Sequence, residues 1–193
     1  MIGNKVGHRL DPWIYKVLSK FFGKNGNPNS FTIMGFLATL IASALIVKDL
    51  WVAAGLMIIL SGLLDLFDGV LARKLERVTL FGGFLDSVVD RYSDLLLLLA
   101  LLIYYLTKEA AGLAVLTSVV SIGTILIPYA RAKAESLNVP CSVGLMERAE
   151  RIILLSLGAL FQWMEPILWI LAFLTHFTVF HRIYYVWKQL RSP

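Results

Sequence analysis

Cysteine is nearly absent from this sequence of 193 residues, and its single representative, Cys141, excludes an internal disulfide. Internal repeats are absent as well, and the one low-complexity stretch is a leucine run at positions 95–99. The first 24 residues place charges throughout their apolar positions, so they lack the continuous apolar core of a signal peptide. The informative features are therefore the overall hydropathy and the few charged positions inside apolar sequence.

Hydrophobic residues make up 58% of the chain and charged residues only 16%, with a mean hydropathy of +0.75. This composition lies beyond that of ordinary soluble domains and is typical of a polytopic membrane protein. Because about 20 residues cross about 30 Å of hydrocarbon, the apolar runs predict an all-α bundle of six transmembrane helices. The predicted spans are 31–47, 50–73, 80–106, 111–135, 149–161 and 167–187, of which the fifth is short.

The first 24 residues predict a different kind of helix. Apolar side chains recur there at helical spacing, at Leu10, Trp13, Ile14, Val17, Leu18, Phe21 and Phe22. Because lysines on the other face would meet lipid headgroups, we expect an amphipathic helix in the membrane interface over 1–24. A soluble helix packed on the end of the bundle is the alternative. With the six-helix bundle over 31–187, this segment would form one membrane domain spanning 1–193.

The chain carries a formal net charge of +5, but its basic residues are spread through short segments between the spans. Membrane lipid headgroups and phosphorylated substrates are therefore the expected partners, rather than nucleic acid. The predicted turns at 48–49, 107–110 and 162–166 hold only Lys48 and Lys108 of the eighteen lysines and arginines. Since cytoplasmic loops carry the excess of positive charge, we expect both termini on the cytoplasmic side of the cell membrane.

Four carboxylates interrupt the second and third predicted spans, where ionisable groups are costly and indicate a functional site. At about 100° per residue, Asp65 and Asp68 share one face of a helix, and Asp86 and Asp90 share one face of the next. Two carboxylates per helix can therefore converge on one gap, near the cytoplasmic end of both spans. Oxygen ligands of this charge suit two hard divalent cations, Mg²⁺ or Mn²⁺, rather than zinc.

Small residues lie on the same helix faces as these carboxylates. Gly69, Ala72 and Gly82 would let a neighbouring helix or a ligand approach the backbone closely, and a diphosphate fits such a gap. The competing interpretation is that the carboxylates only form buried salt bridges with the nearby basic residues Arg73, Lys74 and Arg91. That interpretation leaves the interleaved small residues unexplained.

Read as D-x2-D-G-x2-A-R-x8-G-x3-D-x3-D, segment 65–90 matches every fixed position in the signature of the CDP-alcohol phosphotransferases, without a gap or substitution. The chain therefore resembles this family. The segment Pro28-Asn29-Ser30-Phe31-Thr32 also resembles the Pro-Asn-x-x-Thr entry to the family's first transmembrane helix. The resemblance implies a metal-dependent phospholipid synthase that transfers a phosphatidyl-type group from a CDP-linked lipid to a hydroxyl acceptor and releases CMP.

The resemblance also implies roles for individual residues. The metal ligands would be Asp65, Asp68, Asp86 and Asp90, with Asp90 also acting as the catalytic general base. Contacts to the CDP nucleotide would come from Asp65, Asp68, Gly69, Ala72, Arg73, Thr79 and Gly82. Thr79 has an alternative role as the cap of the helix that begins near Leu80. A homodimer is the implied assembly, and the CDP-linked donor would carry either diacylglycerol or archaeol.

A second group of basic residues lies between the fourth predicted span and the end of the sixth. Arg131, Lys133, Arg148 and Arg151 flank the loop between spans four and five, and Arg182 lies late in span six. Cations collected at one cytoplasmic mouth would bind phosphate through charge-assisted and bidentate contacts. The alternative is a positive-inside bias combined with helical ion pairs to neighbouring glutamates.

The segments 131–135, Arg-Ala-Lys-Ala-Glu, and 144–151, Gly-Leu-Met-Glu-Arg-Ala-Glu-Arg, resemble the branch of the family that uses inositol phosphate. This resemblance implies inositol 1-phosphate as the acceptor, and its phosphate would be held by Lys133, Arg148, Arg151 and Arg182. Glycerol 3-phosphate, serine or another alcohol could replace it as the acceptor in the same chemistry.

Two further classes of function compete with an enzyme. A cation transporter would use the carboxylates within the membrane for ion passage, and a purely structural protein would use them for assembly. Spans one, four and six have no acidic residue within their apolar interiors, which disfavours a transport path. A structural role leaves the acidic cluster unexplained.

Overall fold

The computed structural model of the protein describes residues 28–75 and 79–191, and within these ranges every regular element is a helix. The helices are α1 (Pro28–Val47), α2 (Trp51–Lys74), α3 (Leu80–Thr107), α4 (Ala111–Ser136), α5 (Arg148–Leu160) and α6 (Met164–Arg191). The predicted all-α class is confirmed, and each predicted apolar run coincides with one helix. The amphipathic helix predicted for 1–24 lies outside the described residues.

Three turns of only three residues each reverse the chain at one end of the bundle. Each turn contains a residue in the left-handed conformation, namely Asp49 (φ 64°), Glu109 (φ 57°) or Gln162 (φ 56°). The following N–H then bonds back to the last helical turn, as Leu50 N does to Leu45 O at 3.0 Å. This geometry satisfies carbonyl groups that the end of a helix leaves unpaired. The end of α2, the start of α3 and the connection at 137–147 consequently lie at the opposite end.

The helices pack in pairs around one main apolar core. Helix α1 contacts α2 and α3, α2 contacts α5, α3 contacts α4, and α6 contacts both α4 and α5. Fully buried side chains from five of these helices meet in this core: Ala42, Ala54, Leu101, Ala159 and Leu168. Small residues at several of these positions let neighbouring helices approach closely.

Two glycines bring α5 directly against α2. A Cβ atom on Gly55 would lie 2.8 Å from Leu160 Cγ, and one on Gly62 would lie 2.9 Å from Ile152 Cγ2. Real Cβ atoms essentially never make such short contacts. The glycines therefore set the distance between these helices, and so the position of the first turn of α5 beside the second half of α2.

The outer surface of the bundle is apolar. Large side chains point outwards on successive helices, including Leu56 (57% exposed) and Phe173 (70% exposed). Four of the described helices, α1, α2, α4 and α6, are long and apolar enough to cross a membrane. Helix α3 differs because four charged residues, Asp86, Asp90, Arg91 and Asp94, lie within its positions 86–94. Helix α5 differs because its 13 residues extend only about 20 Å.

A compact polar cluster closes the end of the bundle that contains the three short turns. Asp49 accepts hydrogen bonds from Trp51 Nε1 at 2.6 Å, Tyr104 Oη at 3.0 Å and Lys108 Nζ at 2.8 Å. The Lys108 hydrogen bond, followed by those of Tyr104 and Trp51, lowers the pKa of the Asp49 carboxyl. The same contact with Asp49 raises the pKa of Lys108. The cluster ties the α1–α2 turn to the end of α3.

We predict that Asp49→Asn lowers the midpoint of thermal unfolding at pH 7 by about 1–3 °C, because it weakens the contact with Lys108. The pKa of Asp49 is lower in the folded protein, so its contribution is present above the unfolded-state value and is lost as pH falls through the folded-state value. The difference between variant and parent should therefore shrink below about pH 4. Unfolding is followed in detergent across this pH range.

Glu109→Gln provides the matched control, because Glu109 is an exposed carboxylate in the neighbouring turn with no ion pair within 28–75 or 79–191. Its midpoint should equal that of the parent. An Asp49→Asn midpoint that is unchanged at pH 7, or a difference that grows on acidification, would contradict the assigned role of this cluster.

Candidate functional site at the carboxylate cluster

Helices α2 and α3 bring three of the predicted carboxylates together at the end opposite the three short turns. Asp65, Asp68 and Asp86 each offer an oxygen atom, and these oxygens all lie within 4.8 Å of one another. Asp68 is buried, whereas Asp65 and Asp86 are half-buried. The predicted convergence of the two helix faces is therefore present in the structure.

The fourth predicted carboxylate, Asp90, lies one helical turn after Asp86 on α3. Its Oδ1 atom lies 2.9 Å from Arg148 Nη1. Within the described residues, Asp86 Oδ1 is in contrast a buried oxygen that accepts no hydrogen bond. Buried carboxylate oxygens without such partners are costly unless something positive meets them. This set of hard oxygen donors fits divalent cations such as Mg²⁺ or Mn²⁺.

Thr32, on the first turn of α1, supports the cluster from a third helix. Its hydroxyl donates a hydrogen bond of 2.7 Å to Asp68 Oδ2, and both side chains are buried. A partner of this kind fixes the orientation of a metal-binding carboxylate. The predicted Pro-Asn-x-x-Thr segment therefore contacts the carboxylate cluster directly through its threonine.

The first turn of α5 supplies a cation to the same cluster. The guanidinium of Arg148 contacts Asp65 through Nη1, and the same nitrogen lies 2.9 Å from Asp90. Glu147 and Glu150 form a reciprocal capping box that fixes the start of this helix. Salt bridges to the carboxylates do form, as the competing interpretation expected: Arg91 Nη2 lies 3.4 Å from Asp90 Oδ2, and Arg148 joins from a distant part of the chain.

Beside the cluster lies a cavity of about 800 Å³. Its lining includes five arginines: Arg91, Arg131, Arg148, Arg151 and Arg182. We call this space the arginine cavity. Glu135 and Glu147 also line it, and Leu95, Ile125 and Ile127 form an apolar wall. An excess of positive charge over an apolar wall is suited to an anionic group carried on a small organic molecule.

Arg182 binds the protein's own backbone at the side of this cavity. Its Nε donates to Val143 O at 2.9 Å and its Nη1 donates to Ile127 O at 2.5 Å. Gly144 adopts a φ of 133°, and a Cβ atom there would lie 2.6 Å from Thr178 Cγ2. Arg182 therefore holds the connection at 137–147 against α4 and α6, in addition to lining the cavity.

The other predicted site residues lie in three kinds of place: beside a neighbouring side chain, at a helix cap, or outside the arginine cavity. Gly69 lies beside Arg73, whose Nη1 would be 3.1 Å from a Cβ at position 69. Thr79 caps α3 by accepting a hydrogen bond of 2.9 Å from Gly82 N, so it takes the capping role that its position before Leu80 allows. Lys133 is exposed and does not line the arginine cavity.

Sequence reasoning overlooked the role of Asp94 and of Arg91, and it left Arg131 out of the residues assigned to the acceptor phosphate. Asp94 is buried and pairs with Arg151 Nη2 at 2.5 Å. The signal was present, because Asp94 continues the four-residue spacing of Asp86 and Asp90 along α3. Arg91 and Arg131 line the cavity as well, but nothing in their spacing separates them from other basic residues near the ends of spans.

Comparison with known proteins identifies the sequence pattern. The profile of the CDP-alcohol phosphatidyltransferase family matches residues 26–181. Archaetidylinositol phosphate synthase of Methanothermobacter thermautotrophicus is 38% identical over 166 residues, which cover 83% of each chain. Among solved structures, phosphatidylinositol phosphate synthase of Mycobacterium tuberculosis with CDP-DAG bound has a TM-score of 0.78 at 25% identity, covering 92% of each chain. The same enzyme with manganese and citrate has a TM-score of 0.77 at 26% identity, covering 92% of this chain and 88% of that one.

We predict that Thr32→Val weakens Mn²⁺ binding by about tenfold, because the near-isosteric change removes a hydrogen bond that orients a metal-binding carboxylate. Thr39→Val is the matched control on the same helix, since the Thr39 hydroxyl bonds to Gly35 O at 3.1 Å and lies 2.7 Å from Ser61 Oγ. Mn²⁺ affinity is measured by calorimetry or by electron paramagnetic resonance in detergent. Equal affinities for Thr32→Val and Thr39→Val would contradict the role given to Thr32.

Proposed function

The chain belongs to the CDP-alcohol phosphatidyltransferase family, and from this premise we propose that it transfers a phosphatidyl-type group from a CDP-linked lipid to inositol 1-phosphate. CMP is the second product. The observation that carries the proposal is the arginine cavity directly beside the carboxylate cluster, with Arg148 contacting the cluster and lining the cavity. The carboxylate cluster is suited to cations that hold a diphosphate, and the arginine cavity is suited to a phosphorylated acceptor.

Divalent cations are the cofactors, and we assign two of them to Asp65, Asp68, Asp86 and Asp90. The short distances among the first three carboxylates and the manganese in the Mycobacterium tuberculosis relative support this assignment. When bound, the cations would neutralise the donor diphosphate and the charge that develops on the leaving phosphate. Gly69, Ala72, Arg73, Thr79 and Gly82 are the proposed nucleotide contacts, although Thr79 also serves as a helix cap.

Asp90 is the proposed general base. The acceptor hydroxyl would give its proton to Asp90 while its oxygen forms a bond to the lipid-side phosphorus of the donor. The bond between that phosphorus and the bridging oxygen breaks, and the oxygen leaves with CMP. Arg148, 2.9 Å from Asp90 Oδ1, would orient this carboxylate at the boundary with the arginine cavity.

The acceptor phosphate is assigned to the arginine cavity. We propose that Arg148, Arg151 and Arg182 hold it, with Lys133 at the exposed rim. Arg131 and Arg91 join this set because they line the cavity. The lining holds five arginines and two glutamates, although Arg131 is paired with Glu135 and although Arg148 and Arg151 are paired with aspartates outside the lining. A wall this rich in guanidinium groups favours a phosphorylated acceptor over serine, whereas glycerol 3-phosphate shares the phosphate and remains the alternative. The names of the Methanothermobacter and Mycobacterium relatives support inositol phosphate.

We further propose that all six helices cross the membrane as one domain spanning 1–193. The apolar outer surface supports this arrangement, and the distribution of lysine and arginine favours a cytoplasmic location for the site and both termini. The segment 1–24 would lie along the cytoplasmic interface, and two copies of the chain would form a homodimer. Cysteine accessibility from each side of sealed vesicles, with Cys141 replaced, tests this orientation.

The proposed reaction is tested with purified protein, CDP-lipid and Mg²⁺. Inositol 1-phosphate, glycerol 3-phosphate, serine and inositol are offered separately, and the lipid product is identified by mass spectrometry. Donors built on diacylglycerol and on archaeol are compared in parallel. We expect CMP release with inositol 1-phosphate and a lipid product that carries the inositol phosphate group. If CMP were released with serine or inositol as fast as with inositol 1-phosphate, the assignment of a phosphorylated acceptor would be contradicted.

We predict that Asp90→Asn slows transfer by at least about 100-fold, because it removes the group that accepts the hydroxyl proton. CDP-lipid binding should persist, since the remaining carboxylates still surround the proposed cation site. Turnover and donor binding are measured on the same purified preparation. Glu109→Gln is the matched control at the other end of the bundle, and it should turn over like the parent. Near-normal turnover by Asp90→Asn would overturn the assignment of the base.

A further inference from the structure

Asp94 and Arg151 form a buried ion pair between α3 and α5. Asp94 Oδ2 lies 2.5 Å from Arg151 Nη2, and the two side chains are only 3% and 4% exposed. The other oxygen, Asp94 Oδ1, lies 3.7 Å from Arg148 Nε. A buried arginine whose partner is removed is strongly unfavourable, so this carboxylate decides where the Arg151 guanidinium lies.

Asp94 itself is separate from both proposed ligand sites. It does not belong to the group of close carboxylates formed by Asp65, Asp68 and Asp86, and it does not line the arginine cavity. Its partner Arg151, in contrast, does line that cavity. Any effect of Asp94 on a ligand must therefore pass through the arginines that it contacts.

Arg151 retains donor capacity for a ligand while it is held in this pair. Its Nη2 contacts Asp94, and its Nη1 donates to Met146 O at 3.5 Å. Its Nε is buried and has no hydrogen-bond partner within the part of the chain that the structure describes. A guanidinium offers five N–H donors in a fixed fork, so fixing one edge on Asp94 also fixes the direction of the others.

We propose that Asp94 is a positioning residue for the transfer reaction, which holds Arg151 at the wall of the arginine cavity and thereby sets affinity for the phosphorylated acceptor. This inference rests on the proposed function, because it takes the arginine cavity as the acceptor site. It assigns to Asp94 an effect that falls mainly on the acceptor, because Asp94 pairs directly with Arg151 and lies farther, at 3.7 Å, from Arg148, which contacts the carboxylate cluster. The CDP-linked donor and the cations meet carboxylates that Asp94 does not contact.

Asp94→Asn should raise the Michaelis constant for inositol 1-phosphate by about tenfold, as expected when an orienting partner is lost. The Michaelis constant for CDP-lipid and the affinity for Mn²⁺ should stay within about twofold of the parent, since neither ligand depends on Arg151. Glu109→Gln, which neutralises a distant carboxylate, is the matched control. A merely structural role would lower the unfolding midpoint without changing the two Michaelis constants relative to one another.

A double-mutant cycle tests whether Asp94 acts through Arg151. Arg151→Gln should raise the acceptor constant by itself, and adding Asp94→Asn should change it by less than about twofold. Replacing both members of a buried pair is often tolerated where removing one is not, so the double variant remains informative if Asp94→Asn does not fold. Additive effects on the acceptor constant, or equal effects on acceptor and donor, would overturn the inference.

Binding measured without the donor separates this inference from the proposed reaction. The dissociation constant of inositol 1-phosphate is determined by calorimetry on the parent and on each variant. A parent protein that binds inositol 1-phosphate but transfers nothing to it would contradict the proposed function and leave the Asp94 comparison intact. A dissociation constant that is the same for parent and Asp94→Asn would overturn the role of Asp94.

Discussion

The cost of burying negative charge among apolar helices is the constraint on which the rest of this structure depends. Five aspartates lie between positions 65 and 94, on two helices whose outer surfaces are apolar. Such groups must be met by cations or by hydrogen-bond donors, or the fold would lose stability. The protein meets this requirement in two ways. Arg148 and Arg151 pair with some carboxylate oxygens, whereas others are left for divalent cations.

The close packing of α5 on α2 follows from the same requirement. Arg148 reaches Asp65 only because Gly55 and Gly62 let α5 approach, and because the capping box fixes where that helix begins. Helix α5 is too short for a span of ordinary length, but its first turn carries Arg148 and Arg151, which pair with carboxylates of α2 and α3. Its position therefore links membrane-embedded packing to the chemistry of the site.

Aspartates at the two ends of the bundle differ in how completely their oxygens are paired, and this difference matches their different roles. At the end with short turns, Asp49 has three donors and is fully paired with Trp51, Tyr104 and Lys108. At the other end, Asp86 keeps a buried oxygen without a hydrogen bond in the described ranges. Complete pairing stabilises a turn, whereas incomplete pairing leaves ligand capacity. That difference, rather than the number of charges, distinguishes the site from a structural ion pair.

The sequence by itself determined the six apolar helical runs, the convergence of Asp65, Asp68 and Asp86, and the family, because hydropathy and helical spacing are local properties. It also supplied, as a group, the basic residues that we propose for the acceptor site. Only the tertiary structure decided which of them face the cavity: Arg131 lines it, Lys133 does not, and Arg151 is held by Asp94. Spacing along one helix cannot show which partner a side chain meets on another helix. That choice depends on how α2, α3 and α5 pack, and the two glycines on α2 set the distance between α2 and α5.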